Sequence, residues 1–69
     1  MEKEYIINAL KGFNGIPPHV IQYRMILRGI KISLDSLTSS LEEMVEKKEI
    51  IGEINPRDNG DWKFLYSLR

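Results

Sequence analysis

The sequence predicts an α+β domain: a three-helix core followed by a C-terminal two-stranded antiparallel β-hairpin. Three observations carry this. In SLDSLTSSLEEMVEKK, residues 33 to 48, Leu34, Leu37, Leu41, Met44 and Val45 recur three and four apart, which lines one stripe of a helix. Upstream, Gly12, Asn14-Gly15, Pro17-Pro18 and Gly29 divide the chain into two further helix-length pieces. Downstream the period changes to two: Trp62, Phe64, Tyr66 and Leu68 alternate with Lys63, Leu65 and Ser67.

The first helix is predicted over 2–11. Glu2 and Glu4 lie at its positive end, Tyr5, Ile6, Ala9 and Leu10 form its apolar face, and Gly12 suits a left-handed C-terminal cap. Asn14-Gly15 reads as a turn, and Ile16, before a proline, as extended chain. The second helix is predicted over 18–28. Pro18 fits its first turn, where a missing N–H costs nothing, and Gly29 stops it. Val20, Tyr23 and Leu27 make one stripe, Ile21 and Met25 another, and Ile26 lies off both. This helix is therefore either mostly buried or leaves an apolar surface for a partner.

The third helix is predicted over 34–48. Ser33 or Asp35 can cap its start, and Lys47 and Lys48 suit its negative end. Strands are predicted at 50–54 and 62–68. They are joined by a stretch dense in turn formers, in which Asn59-Gly60 is the strongest hairpin signal.

Length and composition restrict the function. Sixty-nine residues make one domain, spanning 1–69, whose core supplies on the order of 3–5 kcal/mol. With no cysteine there is no disulfide and no thiolate metal site. No run reaches the roughly 18 apolar residues of a membrane span. The absence of cysteine fits an expected cytoplasmic location, and the Met-Glu-Lys-Glu-Tyr start lacks the cationic and apolar parts of a signal peptide. Ten Lys and Arg balance ten Asp and Glu, which argues against indiscriminate nucleic-acid binding. The charge is nevertheless segregated. Residues 19 to 31 hold Arg24, Arg28 and Lys31 with no acid, whereas residues 34 to 49 hold five acids and two lysines.

Catalytic chemistry has no support. His19 is the sole histidine and reads as a first-turn helix residue. Ser39 and Ser40 have no activating base at a recognisable spacing, and the glycines punctuate turns rather than form a phosphate loop. Glu42, Glu43 and Glu46 read as a solvated helix face rather than a cation site. No enzyme activity, metal or cofactor is expected.

The element order, with Gly29-Ile30, Ser33, Leu37, Leu41, Met44 and Ile50-Ile51, and the hairpin IIGEINPRDNGDWKFLYSL with Asp58 to Asp61 near its tip, resembles the winged helix-turn-helix superfamily. The resemblance covers almost the whole chain. One departure is a connection between the second and third helices a residue or two longer than the tight turn of DNA-reading relatives. The resemblance implies a sequence-specific double-stranded DNA-binding protein, a small transcriptional regulator. Its third helix would read the major groove through Ser36, Ser39, Ser40 and Glu43. Arg24, Arg28 and Lys31 would hold phosphates, with Arg57 on the wing and Lys63 beside it touching minor groove or backbone. Winged helices also serve as interaction modules in multi-subunit assemblies. Here a homodimer or protein partner would engage Trp62, Tyr23 or the acidic face of the third helix.

Overall fold

A computed structural model describes the backbone from Glu2 to Arg69 and side chains from Lys3 onward, so the charge assigned to Glu2 lies outside the described residues. The chain is α+β. Helix α1 (Glu2–Leu10), strand β1 (Asn14–Ile16), helices α2 (Pro18–Leu27) and α3 (Leu34–Glu46), and strands β2 (Ile50–Ile54) and β3 (Phe64–Leu68) follow in that order.

Every element contributes to one core. Ile6, Ala9 and Leu10 of α1, Ile21 and Met25 of α2, and Leu37, Leu41 and Met44 of α3 are buried together with Ile16, Ile50 and Tyr66 from the three strands. No polar or charged side chain is buried among the described residues, so the domain is held by apolar burial without an internal polar network. Leu34 departs from the expected stripe. It sits in the first turn of α3, ahead of the buried row, and is exposed.

Local chemistry sets the helix ends. Pro17 in extended conformation precedes Pro18 at the first helical position of α2. Ser33 caps α3, its hydroxyl accepting from the Ser36 N–H at 3.2 Å. At the end of α2, Gly29 (φ 82°) donates to Ile26 O and Ile30 donates to Met25 O, a Schellman pair. The end of α3 repeats this geometry with a lysine. Lys48 (φ 61°) donates to Val45 O and Glu49 donates to Met44 O at 2.8 Å. The helix therefore stops at Glu46 rather than running to Lys48. Lys47 is its cap, and Lys48 lies beyond its last turn in the left-handed region.

The sheet has three strands, in the order β1-β3-β2, rather than the hairpin alone. β2 and β3 pair antiparallel from Ile50 with Leu68 to Ile54 with Phe64. β1 pairs on the other edge of β3, Asn14 with Ser67 and Ile16 with Tyr66, with an irregularity between. Asn14-Gly15, read from sequence as a turn, is thus strand. Gly15 takes φ 104° there, where a side chain would be strained. β3 starts at Phe64, two residues later than expected. Trp62 and Lys63 belong to the loop, in which the Asn55 and Asp58 carboxamide and carboxylate oxygens accept from the Arg57 and Gly60 N–H groups.

Candidate nucleic-acid interface

Helix α3 presents three distinct flanks besides its buried row. Leu34, Thr38, Glu42 and Val45 face the hairpin, where they line a groove shared with Gly52, Ile54 and Phe64. Ser40, with Glu43 and Lys47, borders α1, across a small cleft from Lys3 and Ile6. Asp35, Ser36, Ser39, Glu43 and Glu46 are exposed to solvent. Ser36 and Ser39 therefore lie where the sequence reading puts them. Ser40 is half-buried on the α1 side rather than on the outer face.

The acids of α3 are not evenly spread. Its first half carries Asp35 alone among charged residues, and Glu42, Glu43 and Glu46 all lie in the second half. Glu43 is also engaged. The Lys47 ammonium donates to Glu43 Oε1 at 2.8 Å, one turn on. This hydrogen bond and the adjacent positive charge hold the Glu43 carboxyl below its ordinary range, and they hold the Lys47 ammonium above its own.

The expected cations divide into two kinds. Arg28 and Lys31 are exposed in the connection between α2 and α3, Lys31 only two residues ahead of the Ser33 cap. Gln22 steadies that connection by donating to Ile32 O at 3.0 Å. Arg57 is exposed in the hairpin loop, and Lys63 is exposed at the loop's exit with its ammonium 5.4 Å from the Phe64 ring centroid. Arg24 differs. Its guanidinium lies 4.4 Å over the Phe13 ring, and its Nε is buried without a hydrogen-bond partner among the described residues. The side chain is thus engaged in the contact between α2 and the turn after α1, unlike the other four cations.

The hairpin loop is held against the start of α2. Trp62 packs edge-on against His19, ring centroids 5.6 Å apart, so the sole histidine acts as a ring contact. Trp62 stays 44% exposed and does not extend the inward layer of β3. Ile54 and Asp61, at the two ends of the loop, line the same groove as Leu34 and Thr38. The ends of the loop thus border a groove that runs along α3 from Leu34 to Val45.

Sequence reasoning missed this groove. Two signals pointed to it: the row Leu34, Thr38, Glu42 beside the buried stripe, and a glycine inside a strand at Gly52, which marks close backbone approach. Burial pushes the Tyr66 hydroxyl above its ordinary pKa, and the charge of Glu42 adds to this. No three His, Cys, Asp or Glu gather into a metal site among the described residues, and no helix among them is long and apolar enough to cross a membrane. No family model, curated protein or solved structure matches the chain.

Proposed function

We propose that the chain is a winged-helix protein that binds double-stranded DNA sequence-specifically, as a small transcriptional regulator. In this reading α3 enters the major groove with its first half, where Ser36 and Ser39 meet base edges. The hairpin is the wing. Arg28 and Lys31 hold phosphates on one side, and Arg57 and Lys63 hold backbone or minor groove on the other.

The observation that carries the reading is the position of the exposed cations relative to α3. They sit on the connection that leads into its N-terminus and on the hairpin loop, whose ends share a groove with Leu34 and Thr38. The three glutamates lie toward the far end, where Lys47 neutralises one of them. Ser33 caps an N-terminus whose partial positive charge also favours a phosphate. The cationic set is small, so binding is modest and salt-sensitive, and a second copy is needed for a full-length operator.

A second reading is a winged-helix protein-interaction module. It is favoured by the outer side of α2, where Tyr23 is 62% and Leu27 67% exposed beside Ile26. Titration of the protein with mixed-sequence duplex DNA, followed by backbone amide NMR, separates the two. DNA binding predicts salt-sensitive shifts at Ser36, Ser39, Arg28 and Arg57. An unchanged spectrum at low salt removes DNA binding and leaves the protein partner.

A further inference from the structure

We propose that the groove between α3 and the hairpin binds a lipophilic organic cation, a small molecule with an apolar body and a fixed positive charge. The groove is open on one side and offers about 440 Å³, within the range of small-molecule sites. Its floor is apolar. Val45 and Tyr66 close it below, and Leu34, Ile54 and Phe64 form walls that remain 43%, 66% and 46% exposed. Gly52 is what keeps the floor open, since any side chain there would collide with Val45.

Charge complementarity selects the occupant. The charged residues lining the groove are Glu42, Glu53 and Asp61, three carboxylates with no lysine or arginine among them. None of the three takes part in a salt bridge among the described residues. An anion entering this site meets three carboxylates, against which the groove sets only His19 and the first turn of α2. A neutral apolar molecule would cover the floor and desolvate the carboxylates without pairing them, which costs free energy. A cation with an apolar body does both tasks at once: it buries the aliphatic and aromatic floor and offsets the rim. The groove adjoins both elements that the proposed function assigns to DNA, so it is tested on the free protein, where the outcome does not depend on that reading.

Tetraphenylphosphonium and tetraphenylborate are matched in shape and opposite in charge, which makes them suitable probes. Titration by calorimetry and amide NMR is expected to give saturable tetraphenylphosphonium binding, with shifts at Thr38, Gly52, Ile54 and Phe64. Tetraphenylborate should bind about tenfold more weakly or worse. Replacing the rim with Glu42→Gln, Glu53→Gln and Asp61→Asn should lower phosphonium affinity about fivefold or more and close the gap between the probes. Glu53→Gln alone should do so in part, whereas Glu46→Gln on the outer face should not. Equal affinity for the two probes, phosphonium affinity unchanged in the rim variant, or shifts centred on Tyr23 to Leu27 would overturn the proposal.

Discussion

A β-carbon built on Gly52 would stand 2.9 Å from Val45 Cγ2 and 3.4 Å from Tyr66 Cε1. The absence of a side chain at Gly52 is therefore what allows β2 to lie against α3. Val45 is β-branched and stiff, so it cannot swing aside cheaply. Gly52→Ala is expected to lower unfolding stability by about 1–3 kcal/mol through overpacking. Adding Val45→Ala should recover part of that loss, and a denaturant double-mutant cycle measures the coupling. Additive losses would show that the two residues do not press on each other.

Lys48 occupies the left-handed position that glycine fills at the end of α2. An L side chain is strained there, yet both Schellman hydrogen bonds form, and Arg69 Nη1 donates to Lys48 O at 2.7 Å. None of these bonds uses the Lys48 side chain, so Lys48→Gly keeps them and removes the strain. A gain of about 1 kcal/mol is expected, seen as a Tm about 4–8 °C higher in thermal unfolding.

Arg24 lies over Phe13 as a packing contact, whereas Arg28 and Arg57 are the proposed phosphate ligands. Arg24→Gln should cost about 0.5–1 kcal/mol of stability in urea unfolding. At equal folded fraction it should leave the salt dependence of DNA binding unchanged. A reduced salt dependence would return Arg24 to the phosphate-binding set.

The Glu43–Lys47 pair gives a pH dependence of known sign. The Glu43 carboxyl titrates below its ordinary 4.5 in the fold, so its contribution is present above that pH and is lost as pH falls through the lowered value. The Lys47 ammonium titrates above its ordinary 10.5, so its contribution is present below that pH and is lost as pH rises through the raised value. Side-chain carboxyl NMR should place the Glu43 midpoint below 4.5 in the natural sequence and return it toward the ordinary range in Lys47→Gln. A midpoint that does not move would show that the pair is not formed in solution.

The helices were legible because their signals are local. Pro18, Gly29 and Ser33 act within one turn of chain, and Leu37, Leu41 and Met44 keep the helical period and are buried. The third strand was not legible. Asn14–Ile16 is too short to show alternation, and its Asn-Gly pair carries the composition of a turn while β3, some fifty residues away, supplies its partners. The early end of α3 was hidden for a related reason, since nothing in Lys47-Lys48 announces a left-handed residue where glycine is usual. At the candidate interface, Ser36, Ser39, Arg28, Lys31 and Arg57 are exposed as read, because a helix wheel and a turn-rich loop are enough to place them. The engagement of Arg24 by Phe13 and of Trp62 by His19 depends on long-range packing and could not be read from spacing.

The salt dependence of DNA affinity tests the central claim most directly. Four exposed cations, Arg28, Lys31, Arg57 and Lys63, should give a log–log slope of about −3.6, an affinity loss of roughly 150-fold between about 50 and 200 mM salt. Removing Arg28 or Arg57 as glutamine should each reduce the slope by about 1. Fluorescence anisotropy on a labelled duplex reads both quantities. A slope near zero, or a slope that neither variant changes, would contradict the account.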